Sequence, residues 1–104
     1  MSDRPGTVVE VEAWIAHLVP RFLENRARDI VELRQAIAER DFAVIGRLGH
    51  NLKGVAGGYG FTELAQIGER LEAAGADRSI EPAAVAGDAL ERYVERVTVR
   101  VISR

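Results

Sequence analysis

Residues 41–60 read DFAVIGRLGHNLKGVAGGYG, and this stretch indicates how the whole chain folds. Its apolar residues recur at intervals of three and four, the spacing that places side chains on one face of an α-helix. Asp41 stands where a helix N-cap belongs, and the closing glycines are typical of a helix C-terminus. The stretch therefore predicts an amphipathic helix whose buried stripe consists of Phe42, Ile45, Leu48, Leu52 and Val55.

Similar patterns lie on both sides of this helix. A short first helix is predicted over residues 8–18, where Trp14 is expected to pack it onto the rest of the protein. Pro20 is suited to the first turn of a longer helix of about five turns. Thr62 and Gly75 are predicted to bound a third long helix. A fourth helix follows the loop after Gly75.

Four helices joined by short connections predict an all-α fold. We expect an antiparallel up-down-up-down four-helix bundle with a short additional N-terminal helix. Residues 97–101 alternate with period two, but a five-residue strand without a partner strand is not expected to be stable, so we interpret them as frayed helix. The predicted domains are a flexible N-terminal tail, residues 1–7, and a single bundle domain, residues 8–104.

Composition excludes several classes of function. The chain has 104 residues, a net charge of −2, no cysteine and two histidines. The charge argues against a nucleic-acid partner, and the lack of cysteine excludes disulfides and thiolate metal sites. No apolar run approaches the roughly 20 residues that a membrane span needs, and neither a signal peptide nor a nucleotide-binding loop is present. We therefore expect a cytoplasmic protein without a membrane or nucleic-acid partner.

One histidine stands out on the helix of residues 41–60. At about 100° per residue, His50 points about 150° away from the apolar stripe and thus toward solvent. Gly46, Gly54 and Gly57 fall within roughly 40° of it, and Lys53 lies about 60° to one side. Glycine inside a helix costs roughly 1 kcal/mol of stability relative to alanine, so stability does not explain several glycines on one exposed face. A face without side chains around a histidine instead suggests that a partner can approach the ring. Lys53 would supply positive charge beside a bound phosphoryl group.

Two interpretations of this face stay open. In the first, His50 is a nucleophile, and the access or docking face consists of Gly46, Arg47, Asn51, Gly54 and Gly57. In the second, His50 is an ordinary surface histidine and the glycines serve close contact between helices. His17, the other histidine, is expected to be a surface or packing residue.

The motif around this histidine resembles a known family. His50-Asn51-Leu52-Lys53-Gly54, then Gly60, Leu64 and the pair Leu71-Glu72, is similar to the pattern of the histidine-containing phosphotransfer (HPt) domains of bacterial two-component phosphorelays. The pattern is H-x-L-K-G, a glycine six residues later and an L-E pair on the next helix. The resemblance covers residues 20–97, including a leading segment from Pro20 to Arg26.

The resemblance implies a function for these residues. It implies that His50 accepts a phosphoryl group from the aspartyl phosphate of a receiver domain and passes it to another receiver. Lys53 would stabilise charge, and Glu72 would either orient the His50 ring through Nδ1 or be a solvated glutamate. The chain would need no cofactor of its own, because the receiver brings the Mg²⁺. It would have no kinase activity of its own.

Other functions compete with this one. The chain can be a segment of a hybrid histidine kinase, although its short tail favours a free-standing protein. It can also be a helical adaptor that binds receiver domains without transferring phosphate. A metal-binding bundle would need paired E-x-x-H motifs, and the sequence has none. The expected partners are receiver domains of response regulators or hybrid histidine kinases, and the expected state is a monomer.

Overall fold

The computed structural model describes residues 7–103 and consists mainly of four helices. They are α1 (Val19–Glu39), α2 (Phe42–Tyr59), α3 (Thr62–Asp77) and α4 (Ile80–Arg96). Only two residues separate each helix from the next, which makes consecutive helices antiparallel neighbours. Helix α1 contacts α2 and α4, and α3 contacts the same two helices. The predicted all-α bundle is confirmed.

The ends of the helices follow local sequence signals in most places. The Asp41 carboxylate accepts a hydrogen bond from the backbone N–H of Val44 at 3.2 Å, as an N-cap should. Gly60 ends α2 with φ +85°, a conformation that glycine adopts without a steric penalty. Pro20 lies in the first turn of α1, as predicted.

The predicted bounds of α3 are wrong at both ends. Phe61 occupies the N-cap position and Thr62 is already helical, with no side-chain cap. The helix continues past Gly75 to Asp77, and Arg78 ends it with φ 53°. Gly75 is buried in contact with α2, so it serves helix packing rather than termination.

The two ends of the described chain form a small parallel sheet. Strand β1 (Val8–Glu12) pairs with β2 (Thr98–Ile102), with Val8 opposite Thr98 and Glu12 opposite Ile102. A 3₁₀-helix, Ala13–Leu18, connects β1 to α1. Of the predicted tail, residues 1–6 lie outside the described residues, and the carbonyl of Thr7 accepts a hydrogen bond from Thr98 N at 2.8 Å.

This sheet corrects two predictions. Residues 8–12 are a strand rather than the start of a helix, and the frayed-helix interpretation of residues 97–101 is wrong. The period-two pattern of these residues does indicate a strand. Its partner strand, β1, lies about 90 residues away in sequence, so no local pattern reveals the pairing.

The core is a single apolar cluster between the four helices, and β1 adds Val11 to it. Two predicted core positions are wrong. Trp14 is 75% exposed, because the 3₁₀-helix that carries it buries none of its residues, and Val55 is 43% exposed at the edge of the α2 stripe.

Within residues 7–103, no helix has both the length and the apolar character needed to cross a membrane.

Candidate functional site

His50 lies in the middle of α2 on the side away from the core. Its side chain is 68% exposed, whereas Leu48 and Leu52, two positions before and after it, are buried. The helical period explains the difference, because a separation of two residues turns the side chain by about 200°. The ring is thus held by a rigid helix and is open to an approaching molecule.

Glu72 of α3 connects His50 to Lys53. Its Oε2 lies 2.9 Å from His50 Nδ1, and its Oε1 lies 2.8 Å from Lys53 Nζ. An ionised carboxylate can only accept hydrogen bonds, so Nδ1 carries the hydrogen that it donates to Glu72. In the neutral ring, Nε2 then keeps its lone pair, the form that a nucleophile requires.

The contacts within this cluster favour the charged forms of Glu72 and Lys53. The hydrogen bond from Lys53, followed by that from His50, holds the pKa of Glu72 below its ordinary value. The same contact with Glu72 raises the pKa of Lys53. Glu72 is therefore ionised and Lys53 protonated at neutral pH, which keeps both contacts with the carboxylate in place.

The glycines around His50 divide into two groups. A Cβ atom built on Gly54 or Gly57 would meet no other residue within 4 Å, so these positions leave open surface along α2. Gly46 differs, because its Cβ would contact the backbone of Gly75 in α3 at 3.8 Å. Two of the three predicted glycines thus border open space, and the third lies at the boundary with α3.

A second set of glycines brings α2 and α3 into backbone contact, a role that was not predicted for them. Gly49 faces the α3 backbone, Gly68 faces Lys53, and Gly75 faces Gly46. The packing interpretation was stated for Gly46, Gly54 and Gly57, and of these only Gly46 contacts α3. A signal was present, since Gly68 and Gly75 are seven residues apart and so share one face of α3.

Other predicted site residues lie on the same helix. Arg47 is exposed one turn before His50, and its Nη2 lies 2.8 Å from Glu32 Oε2 of α1. Asn51 is exposed next to His50, and His17 is exposed on the 3₁₀-helix. Across residues 7–103, no group of three or more His, Asp or Glu side chains is arranged to hold a metal ion.

Comparison with known protein families identifies the family of this chain. The family model of the Hpt domain matches residues 17–99. No curated protein matches the chain, and no solved structure matches it. Because the match spans most of the chain and includes both His50 and Glu72, this protein belongs to the Hpt domain family, whose members carry out histidine phosphotransfer in phosphorelays together with receiver domains.

Proposed function

We propose that this protein is a phosphorelay intermediate that carries the phosphoryl group on His50. The group would come from the aspartyl phosphate of one receiver domain and pass to the aspartate of another. The observation that supports this most directly is the setting of the ring: the His50 side chain is exposed, and Glu72 contacts its Nδ1 at 2.9 Å. Nε2 is the nitrogen left with a lone pair.

The transfer is a displacement at phosphorus. The Nε2 lone pair attacks, an N–P bond forms, and the P–O bond to the receiver aspartate breaks, with its electron pair leaving on the carboxylate. The ring gains positive charge in this step, and the ionised Glu72 beside the Nδ1–H stabilises that charge, as an orienting acid does for other nucleophilic or basic histidines. The reverse displacement by another receiver's aspartate restores the neutral ring.

The neighbouring residues would assist without taking part in bond formation. Lys53 places an ammonium group one turn from His50, where it can offset charge on the phosphoryl oxygens. Gly54 and Gly57 leave room for the receiver, with Gly46, Arg47 and Asn51 completing the docking face. The Mg²⁺ of the reaction would belong to the receiver, and this chain would supply no cofactor.

Transfer of radioactive phosphate from a phosphorylated receiver tests this function. Label should reach the wild-type chain as an acid-labile adduct and should not reach the His50→Gln variant. His17→Gln is the matched control, since it removes the other histidine, also exposed, and should accept label normally. Melting temperatures of both variants should stay near that of the wild type, because exposed residues contribute little to stability.

Two results would contradict the proposal. Label on the His50→Gln variant would show that a residue other than His50 accepts the phosphoryl group. A wild-type chain that binds phosphorylated receivers but never takes up label would be an adaptor that does not transfer phosphate.

A further inference from the structure

Helices α2 and α3 are in backbone contact beside the His50 cluster. A Cβ atom built on Gly49 would lie 2.6 Å from the carbonyl oxygen of Gly68 and closer still to the backbone nitrogen of Glu72. Real Cβ atoms essentially never approach other atoms within 3.0 Å. Position 49 therefore admits only glycine at the present helix separation, and the atom that it faces belongs to Glu72 itself.

Gly68 makes the reciprocal contact from α3. A Cβ atom there would lie 2.6 Å from the backbone nitrogen of Lys53 and 2.8 Å from the carbonyl oxygen of Gly49. The two glycines thus press against the backbones of Lys53 and Glu72, whose side chains meet at 2.8 Å.

We infer that Gly49 and Gly68 are positioning residues for phosphotransfer: by setting the separation of α2 and α3, they place the Glu72 carboxylate within hydrogen-bond distance of both His50 and Lys53. The inference rests on the proposed role of His50 as acceptor. Its physical basis is that a methyl group at either position meets backbone atoms on the opposite helix, which cannot move aside as a flexible side chain can.

The expected displacement is large enough to matter. Restoring ordinary contact distances would move the helices apart by up to about 1 Å, and the contacts of 2.9 Å and 2.8 Å made by Glu72 would then exceed normal hydrogen-bond lengths. A misplacement of about 1 Å can reduce a rate by on the order of a hundredfold. The glycines on the open face have no such role, because a methyl group at Gly54 would touch nothing.

Nitrogen-15 NMR of the His50 ring tests the inference without any receiver. In the wild type, Nδ1 should carry the hydrogen. In Gly49→Ala, the ring should shift toward the tautomer population of a Glu72→Ala variant. Gly87→Ala is the control, because that glycine is also buried but lies on α4, where the three atoms nearest to a methyl group would be side-chain ends of α1, the closest at 3.3 Å. An unchanged His50 tautomer in Gly49→Ala would overturn the inference.

Transfer kinetics provide a second readout. Gly49→Ala should slow transfer about a hundredfold in the wild-type background and by much less in the Glu72→Ala background, since the glycine acts through that carboxylate. An equal loss in both backgrounds would mean general damage and would overturn the inference. If the tautomer shifts as expected but the wild type never accepts label, the proposed function fails while the positioning role stands.

A change in Glu72 itself serves as the test if the alanine variants do not fold. Glu72→Asp withdraws the carboxylate by one methylene while leaving the helix backbones unchanged, and Glu72 is only half-buried. This variant should show the same shift of the His50 tautomer as Glu72→Ala. If the shorter carboxylate still holds Nδ1–H, the side chains compensate for a change of this size, and the glycines do not set the geometry.

Discussion

Glu72 of α3 holds the Nδ1 side of the His50 ring on α2 at 2.9 Å, although 22 residues separate them in sequence. Its second oxygen binds Lys53, so one carboxylate fixes the tautomer of the exposed ring and the position of the neighbouring cation. The site needs no enclosed pocket for this. Two helices in backbone contact and three side chains on their outer faces are sufficient.

Lys53→Ala should slow transfer without abolishing it. Loss of one electrostatic donor costs a few kcal/mol at most, so we expect a decrease of up to about a hundredfold in the rate at saturating phosphorylated receiver. Lys53→Arg keeps the positive charge and should lose less. An alanine variant as fast as the wild type would show that Lys53 does not assist the reaction.

Substitutions at Gly54 should separate stability from function. The position is open, so Gly54→Ala should raise the free energy of unfolding by up to about 1 kcal/mol. Gly54→Leu should also fold normally, yet its branched side chain would stand in the path of the receiver and strongly reduce transfer. Thermal melting and transfer assays on both variants check this. An unfolded leucine variant would contradict the open position of Gly54.

The carboxyl group of Glu72 should titrate below its ordinary pKa of 4.5. The pKa of Glu72 is lower in the folded state than in the unfolded state, so its contacts with Lys53 and His50 stabilise the protein fully above pH 4.5. This stabilisation is lost as the pH falls through the lowered pKa of the folded state. Lys53→Met should raise the pKa of Glu72 more than His50→Ala does, since the hydrogen bond from Lys53 is the larger cause. Carbon-13 NMR of the Glu72 carboxyl measures this, and the opposite order would refute it.

Tyr93 should make the protein sensitive to alkali. Burial, with a smaller effect from Glu63, raises the pKa of Tyr93 from 10.0 to about 12. The folded state holds this proton more tightly than the unfolded state, so the stabilisation is complete below pH 10 and is lost between pH 10 and about 12. The loss amounts to up to about 3 kcal/mol.

The Tyr93→Phe variant isolates this effect. It should lack the alkaline loss while remaining at least as stable near neutral pH, because the buried hydroxyl of Tyr93 has no hydrogen-bond partner among the described residues. Denaturant unfolding at a series of pH values gives the comparison. Parallel stability curves for the two proteins above pH 10 would contradict the prediction.

Two valines that face each other in the small sheet should contribute differently to the stability of the protein. Val11 and Val101 are opposite each other in the β1–β2 register, yet Val11 is 1% exposed and Val101 54% exposed. Val11→Ala should lower the free energy of unfolding by about 2 kcal/mol, while Val101→Ala should change it by less than about 0.5 kcal/mol. Equal effects on denaturant midpoints would show that β1 does not contribute to the core.

The sequence alone determined the features that depend on neighbouring residues. The three- and four-residue apolar spacing predicted the four helices, and Asp41 and Gly60 marked the two ends of α2. These signals are local because a helix satisfies its backbone hydrogen bonds within four residues, and its capping groups lie at its own ends. The H-x-L-K-G motif was local too, since His50, Lys53 and Gly54 lie on adjacent turns of one helix.

Only the tertiary structure decided what depends on distant segments. The sequence left Glu72 open between a solvated residue and a partner of His50, and the approach of α3 to α2 brings it to 2.9 Å. It gave no partner for residues 97–101, because that partner, β1, lies at the other end of the chain. Gly49 was assigned no packing role, because a glycine in a helix indicates neither which backbone it faces nor how closely. Each of these depends on a separation between elements, which is set by how the side chains of the whole core pack together.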